Sequence, residues 1–174
     1  MKNVTVSAKW LGVVFAALVL AACSSNETKE AEVAAAAAAE QAAQQAAARE
    51  AEQQAQAAAQ DTLEAAAADV GTVFYFDLDS SSLTGEARGQ VDAHIAALLG
   101  NNDSVRLEGH TDERGTREYN LALGERRANG VRDYMIANGV PSYRIETISY
   151  GEENPVAYGS GEPNWQQNRR VELK

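Results

Sequence analysis

Half of residues 27–68 are alanine, and this tract sets the terms for the whole chain of 174 residues. Gln and Glu supply most of the remainder, Val33 and Leu63 are its only large aliphatics, and nothing from Glu27 to Ala68 is Gly or Pro. Alanine is the best helix former, yet its methyl group gives a helix almost nothing to bury. The tract therefore favours a helix that builds no core of its own. Ser24-Ser25-Asn26-Glu27 fits a capping box at its start, and Val70-Gly71 reads as its stop. The expectation is one solvated helix of about 42 residues, roughly 63 Å long at 1.5 Å per residue. As a random coil the same segment would average only about 35 Å end to end. Either form is a spacer. An alanine coiled coil that makes the protein oligomeric is the alternative, but the tract lacks a heptad seam of Leu or Ile.

The chain ahead of this tract carries a second signal. Lys2 and Lys9 form a positive region, and Trp10 to Ala22 is an apolar run of thirteen residues that ends in small ones. A transmembrane helix needs about twenty apolar residues, so the run suits a secretory signal instead. Leu20-Ala21-Ala22-Cys23 resembles the bacterial lipobox, whose cysteine is acylated and becomes the first residue after cleavage. In the bacterial lipoproteins that this segment resembles, Ser24 rather than Asp after the cysteine implies release to the outer membrane. Several acyl chains, at about 0.8 kcal/mol per buried methylene, would hold the protein on its membrane almost permanently. Cys23 is the only cysteine, so no intrachain disulfide is possible. The bland alternative, a cysteine that merely ends the signal segment, is disfavoured by a lone Cys at this spot. Removing residues 1–22 takes away two lysines and no acids, so the formal charge goes from −10 to −12. Residues 71–174 hold 11 basic and 16 acidic side chains, a balance that argues against nucleic acid as a partner.

The patterned part of the chain is residues 70–174, about the size of one domain with a modest core. Thr72–Asp77 is β-branched and aromatic, hence a strand. Thr84 opens a helix whose apolar positions Ala87, Val91, Ile95 and Leu98 keep helical spacing, and Gly100-Asn101-Asn102 ends it. Ser104–Glu108 reads as a strand, Thr116–Asn138 as a helix broken by Gly139-Val140-Pro141, and Ile145–Tyr150 as a third strand. A loop rich in Gly, Pro and Asn, 151–164, leads to a last strand, Arg169–Leu173. Two helices on one face of a mixed four-stranded sheet, an α+β two-layer sandwich, is the economical arrangement.

Within this domain the run GHTDERGTREYNLALGERRA, residues 109–128, concentrates the chemistry. It places Asp112 at the end of a strand and an Arg-Arg pair about four helical turns later, with a turn at Gly115 between. A crossover helix brings a strand's C-terminal end close to one of its own flanks. At 100° per residue, Leu121, Gly124, Ala128, Val131 and Met135 share the stripe that packs on the sheet. Asn120, Leu123 and Arg127 fall on the adjacent flank and Arg126 points further away, so Arg127 is placed at the edge of the core, within reach of Asp112. An acid and a base held apart by rigid elements suit a ligand that carries both charges; on the residues alone, a simple pair between the two is the favoured reading.

The other candidates are weaker. His110, Asp112 and Glu113 are poorly directed for a metal, which wants three or four converging ligands. His94 reads as a partly exposed helix residue. Trp165, Tyr119 and Tyr134 could stack on a sugar, though aromatic residues at such positions usually cover core. Arg169 and Arg170 alternate on the last strand, so at least one is expected to face solvent.

The TD…N…L…RRA…V spacing resembles the OmpA-like peptidoglycan-binding domain, and EGHTDERGTREYN-x-ALGERRA resembles its peptidoglycan-associated lipoprotein branch. The likeness runs from about Val70 to Lys174 and takes in YFDLDSSSL, SYGEENP and NRRVELK. The Ala-rich linker departs from the family, whose linkers are usually less rich in alanine. The resemblance implies the same α+β sandwich, a signal peptide at 1–22, a lipidated Cys23 with its linker at 23–69, and a binding domain at 70–174. It also implies noncovalent binding of the peptidoglycan stem peptide through meso-diaminopimelate. Asp112 would accept from the ligand's ammonium, and the planar fork of Arg127 would take its carboxylate. Asp77 and Asp79 would offer backbone N–H groups, with Thr111, Asn120 and Leu123 in the pocket wall, although ordinary turn capping is as good a reading for Asp and Thr. By the same likeness the protein sits in the outer membrane of a Gram-negative bacterium and faces the periplasm. It would act with TolB and the other Tol-Pal proteins to draw the outer membrane in during division, and TolB would compete with peptidoglycan for one face. No cofactor is implied. A cell-wall hydrolase is the alternative, but the sequence has no Ser-His arrangement near a nucleophile turn, no second cysteine and no HExxH, and Asp112 and Glu113 are adjacent rather than flanking a bond.

Overall fold

The computed structural model describes residues 26–174, and the chain divides into two units, Met1–Ala48 and Arg49–Lys174. The expected signal segment, the capping serines and Cys23 lie outside the described residues. Helix α1 spans Asn26–Asp69, one residue longer at each end than the alanine tract suggests. Every side chain from Glu32 to Ala48 is exposed, as a helix with nothing to bury requires. No helix among the described residues is long and apolar enough to cross a membrane.

In the second unit the end of α1 is fastened. Ala67 is buried, and the Gln60 amide donates to the Ala97 carbonyl at 2.9 Å. Gly71, at φ +75°, turns the chain out of the helix. Its carbonyl is 2.8 Å from the ring Nε2 of His94, and the Val70 carbonyl accepts from Gln90 at 3.0 Å. His94 is therefore buried, edge-on to Phe74, and not the partly exposed residue expected.

The two-layer α+β sandwich is as expected. Strands β1 (Val73–Tyr75), β2 (Val105–His110), β3 (Ile145–Gly151) and β4 (Arg170–Leu173) form a sheet in the order β1-β4-β2-β3, with β2 and β3 parallel and the other pairs antiparallel. Helices α2 (Gly85–Gly100) and α3 (Arg117–Ala137) pack against this sheet. Thr84 and Thr116 cap them, their hydroxyls accepting from the Ala87 and Tyr119 N–H groups. Phe74, Val91, Leu107, Val131, Met135 and Val171 centre the core.

Three features differ from the sequence reading. β1 stops early because Asp77 to Ser80 forms a turn, with Asp79 in the left-handed region at φ +53°. A short helix, α4 (Glu162–Asn168), occupies the end of the expected loop and takes Arg169 out of the last strand. On α3, Leu123 is buried and Leu121 only half-buried, so the packed stripe is rotated toward the Arg127 flank.

Where α3 crosses β2 the two backbones touch. A Cβ on Gly109 would overlap the Gly124 carbonyl, and one on Gly124 would lie 3.0 Å from the Gly109 oxygen. Backbone cannot swing aside as a side chain can, so Gly109→Ala must lift α3 from the sheet. The expected cost is about 1–3 kcal/mol of overpacking strain, read by urea unfolding. Wild-type stability in this variant would contradict so close a contact.

Candidate functional site

The β2–α3–β3 crossover sets the end of β2 beside the flank of α3, and a cavity of about 390 Å³ opens there. Of the seven candidate residues, Asp79, Thr111, Asp112, Asn120, Leu123 and Arg127 line it. Asp77 does not; it contributes its carbonyl, which accepts from Arg127 Nη2 at 3.1 Å. Leu78, Arg114, Tyr119 and Arg169 also line the cavity and were not picked out as pocket residues from sequence.

Arg127 is fully buried, deeper than the edge of the core where periodicity places it. Its Nε donates to the Ser80 carbonyl at 2.8 Å and its Nη1 to the His110 carbonyl at 3.0 Å. With the Asp77 bond, three of the five N–H groups a guanidinium carries are committed to backbone, which leaves two for a ligand. The cation also lies 5.3 Å from the Phe76 ring centroid. Burial, helped by the nearby charge of Arg169, pushes its pKa down to about 10, so it stays protonated at neutral pH. Among the described residues no carboxylate oxygen lies within 4.0 Å of it. Arg126, by contrast, is exposed beside the Tyr119 ring.

Asp112 does not pair with Arg127. Its Oδ1 accepts from the Arg114 backbone N–H and from Arg114 Nε, both at 3.1 Å, and its Oδ2 accepts from Arg114 Nη2 at 2.6 Å and Arg169 Nη1 at 3.4 Å. Burial alone would raise the carboxyl's pKa; the hydrogen bonds from Arg114 and Arg169 outweigh it and hold the group below the usual carboxylate range. Arg169 is pinned in turn by the Phe76 carbonyl at 3.1 Å and by Glu162 at 2.5 Å. Arg169 and Arg170 are both buried, against the expectation that one faces solvent. The reason is cover on both sides: Glu162 of α4 closes over Arg169, while Arg170 is held by Glu172 and the Asn154 carbonyl.

Around these charges the wall is polar. Thr111 Oγ1 is buried with no hydrogen-bond partner in the protein. Asn120 donates to Glu152, and the Tyr119 hydroxyl to Asp79, a bond that raises the phenol's pKa. Tyr119 is exposed and so does not cover core, whereas Tyr134 packs against the core and bonds Asp92. Trp165 lies under the Arg114 guanidinium, 4.0 Å from ring centroid to carbon, and its indole N–H donates to Glu113.

The three side chains weighed as metal ligands turn away from one another. Glu113 bonds Ser160 and Trp165, Asp112 faces the arginines, and His110 stacks on Tyr150 at 5.5 Å between centroids. His110 is 2% exposed with neither ring nitrogen hydrogen-bonded. Burial and the charge of Arg170 push its pKa down to about 4. Its folded pKa lies below the unfolded value, so the folded chain binds fewer protons between the two. The stability it contributes is complete above about pH 6.5 and is lost as pH falls toward 4, on the order of 2–3 kcal/mol. Urea unfolding at pH 7 and 4.5 should show that loss in wild type and a much smaller one in His110→Phe. Equal slopes in the two proteins would contradict it.

The sequence pattern of the OmpA family matches residues 75–169, more than half of the chain and the whole of the site. The chain belongs to the OmpA family. The expected resemblance to peptidoglycan-associated lipoproteins also holds. The chain is 55% identical to the peptidoglycan-associated lipoprotein of Pseudomonas aeruginosa over 111 residues, 64% of this chain and 66% of that one. It is 49% identical to the peptidoglycan-associated lipoprotein of Rhizobium meliloti over 104 residues, 59% of each chain. The match thus spans about two thirds or less of these relatives' own length. Among solved structures, the peptidoglycan-associated lipoprotein from Burkholderia pseudomallei superposes with a TM-score of 0.58 at 42% identity, over 59% of this chain and 87% of that one. In this OmpA domain, Asp112 and Arg127 occupy opposite elements of the matched region, one after β2 and the other on α3.

Proposed function

We propose that the cavity binds the peptide stem of peptidoglycan through meso-diaminopimelate and does no chemistry on it. One observation carries this reading: Arg127 is a buried cation without a carboxylate partner among the described residues, and it shares a cavity with an ionised, buried Asp112. A buried unpaired charge is costly, and a ligand carboxylate would compensate it. The far end of diaminopimelate carries an ammonium and a carboxylate on one carbon, which matches an acid and a base on separate elements. Asp79, Thr111, Asn120 and Leu123 complete the wall, and Asp77 acts through its backbone, its carbonyl accepting from Arg127 and its N–H offered to the ligand carboxylate. The names of the relatives support peptidoglycan as the polymer.

In the same reading, residues 1–22 are a signal peptide, Cys23 carries the lipid, and the 23–69 linker spaces an outer-membrane anchor from the 70–174 domain in the periplasm. The protein tethers the outer membrane to the wall and acts with TolB and the other Tol-Pal proteins in cell division. No enzyme activity is assigned.

Selectivity provides the test. A stem in which diaminopimelate is amidated or replaced by lysine leaves Arg127 without its carboxylate, so such walls should be retained at least tenfold more weakly. Pull-down on diaminopimelate-type and lysine-type sacculi measures this, and equal retention would rule the assignment out. Labelled fragments released from the sacculi would point to hydrolysis instead.

A further inference from the structure

We propose that Arg114 is an internal competitor for the ligand's ammonium, and that ligand entry exchanges its side chain from Asp112 to Glu162 while it stays on the face of Trp165. The proposal rests on the stem-peptide reading of the cavity and adds a residue that sets its affinity.

A carboxylate offers about four acceptor positions, two on each oxygen. All four on Asp112 are taken: Arg114 N–H and Nε on Oδ1, Arg114 Nη2 and Arg169 Nη1 on Oδ2. An incoming ammonium must therefore displace a donor. The backbone N–H belongs to the turn itself and cannot leave without unmaking it. Arg169 is 7% exposed at its side chain and fixed by the Phe76 carbonyl and Glu162. The Arg114 side chain is the one movable donor, 32% exposed and lining the cavity.

Its destination is already in place. Arg114 Nη2 lies 3.8 Å from Glu162 Oε2, and its guanidinium carbon sits 4.0 Å over the Trp165 ring. A small rotation trades the Asp112 bonds for a closer pair with Glu162 while the stacking persists, so the cation is never left without company. The free protein thus keeps Asp112 ionised and satisfied by its own arginine. A ligand ammonium replaces that arginine like for like.

The sign of one substitution separates this from a supporting role. The arginine end of the pair is about a third exposed and partly screened by water, so removing it should help the ligand only modestly: Arg114→Gln is expected to bind a diaminopimelate-ended stem peptide about three- to fivefold tighter in calorimetric titration. Arg114→Lys, which keeps the cation, should restore affinity to near the wild-type value. Asp112→Asn in the same series tests the pocket. If Asp112→Asn loses binding while Arg114→Gln is unchanged or weaker, the pocket stands and Arg114 is not a competitor. If wild type binds no peptide, or Asp112→Asn binds as well as wild type, the pocket reading fails and the exchange falls with it.

Discussion

Arg127→Ala is expected to abolish stem-peptide binding and to destabilise the domain by about 3–5 kcal/mol, the usual cost of breaking a buried charged network. The guanidinium gathers three backbone carbonyls that belong to different places in the chain: Asp77 and Ser80 in the turn after β1, and His110 at the end of β2. Truncation takes a donor from each of these carbonyls, although the Ser80 N–H still reaches the Asp77 oxygen, and opens a void beside Phe76. A buried acceptor left unsatisfied, as at His110, costs about 1–3 kcal/mol. Arg127→Lys keeps the charge, but a single ammonium cannot span the three carbonyls, so intermediate stability and little binding are expected. Urea unfolding together with peptide titration distinguishes these outcomes. Wild-type stability in Arg127→Ala would contradict the role given to these three bonds.

The second large effect falls on the opposite wall. Asp112→Asn keeps the shape and the acceptor for the Arg114 backbone N–H, but removes the charge that faces the ligand's ammonium. Loss of one member of a buried charge pair costs about 2–5 kcal/mol of binding, a factor of thirty or more. Stability should change far less than in Arg127→Ala, because Arg169 keeps Glu162 and the Phe76 carbonyl. The contrast matters: Arg127 mixes scaffold and site, whereas Asp112→Asn reports on the site with the scaffold intact. An Asp112→Asn protein that binds the peptide as wild type does would remove the carboxylate from the pocket.

Periodicity places α2 well, but the packed stripe of α3 is rotated toward the Arg127 flank. Ala87, Val91, Ile95 and Leu98 carry α2 at helical spacing, threonines cap both main helices, and the crossover logic brings Asp112 and α3 to one cavity. Periodicity also separates buried Arg127 from exposed Arg126. It fails where structure comes from tertiary cover. Helix α4 is seven residues of Glu, Pro, Asn, Trp and Gln, with no apolar repeat to announce it. Without α4, nothing says that Glu162 closes over Arg169, so Arg169 reads as one of an alternating pair on a strand. Arg114, flanked by Glu113 and a glycine turn, falls in no periodic pattern that would single it out; its stacking on Trp165 depends on the same unseen helix. The depth of Arg127 follows from a turn, Asp77 to Ser80, whose carbonyls converge only once β1 and α2 are in place.

A crystal structure of the protein with a diaminopimelate-ended stem peptide puts the whole scheme at risk in one experiment. The ligand's ammonium should lie within hydrogen-bond distance of Asp112 and its carboxylate against the two unspent N–H groups of Arg127, both inside the cavity between β2 and α3. A peptide seated elsewhere, or one whose carboxylate points to solvent while Arg127 keeps only its three carbonyls, would contradict it.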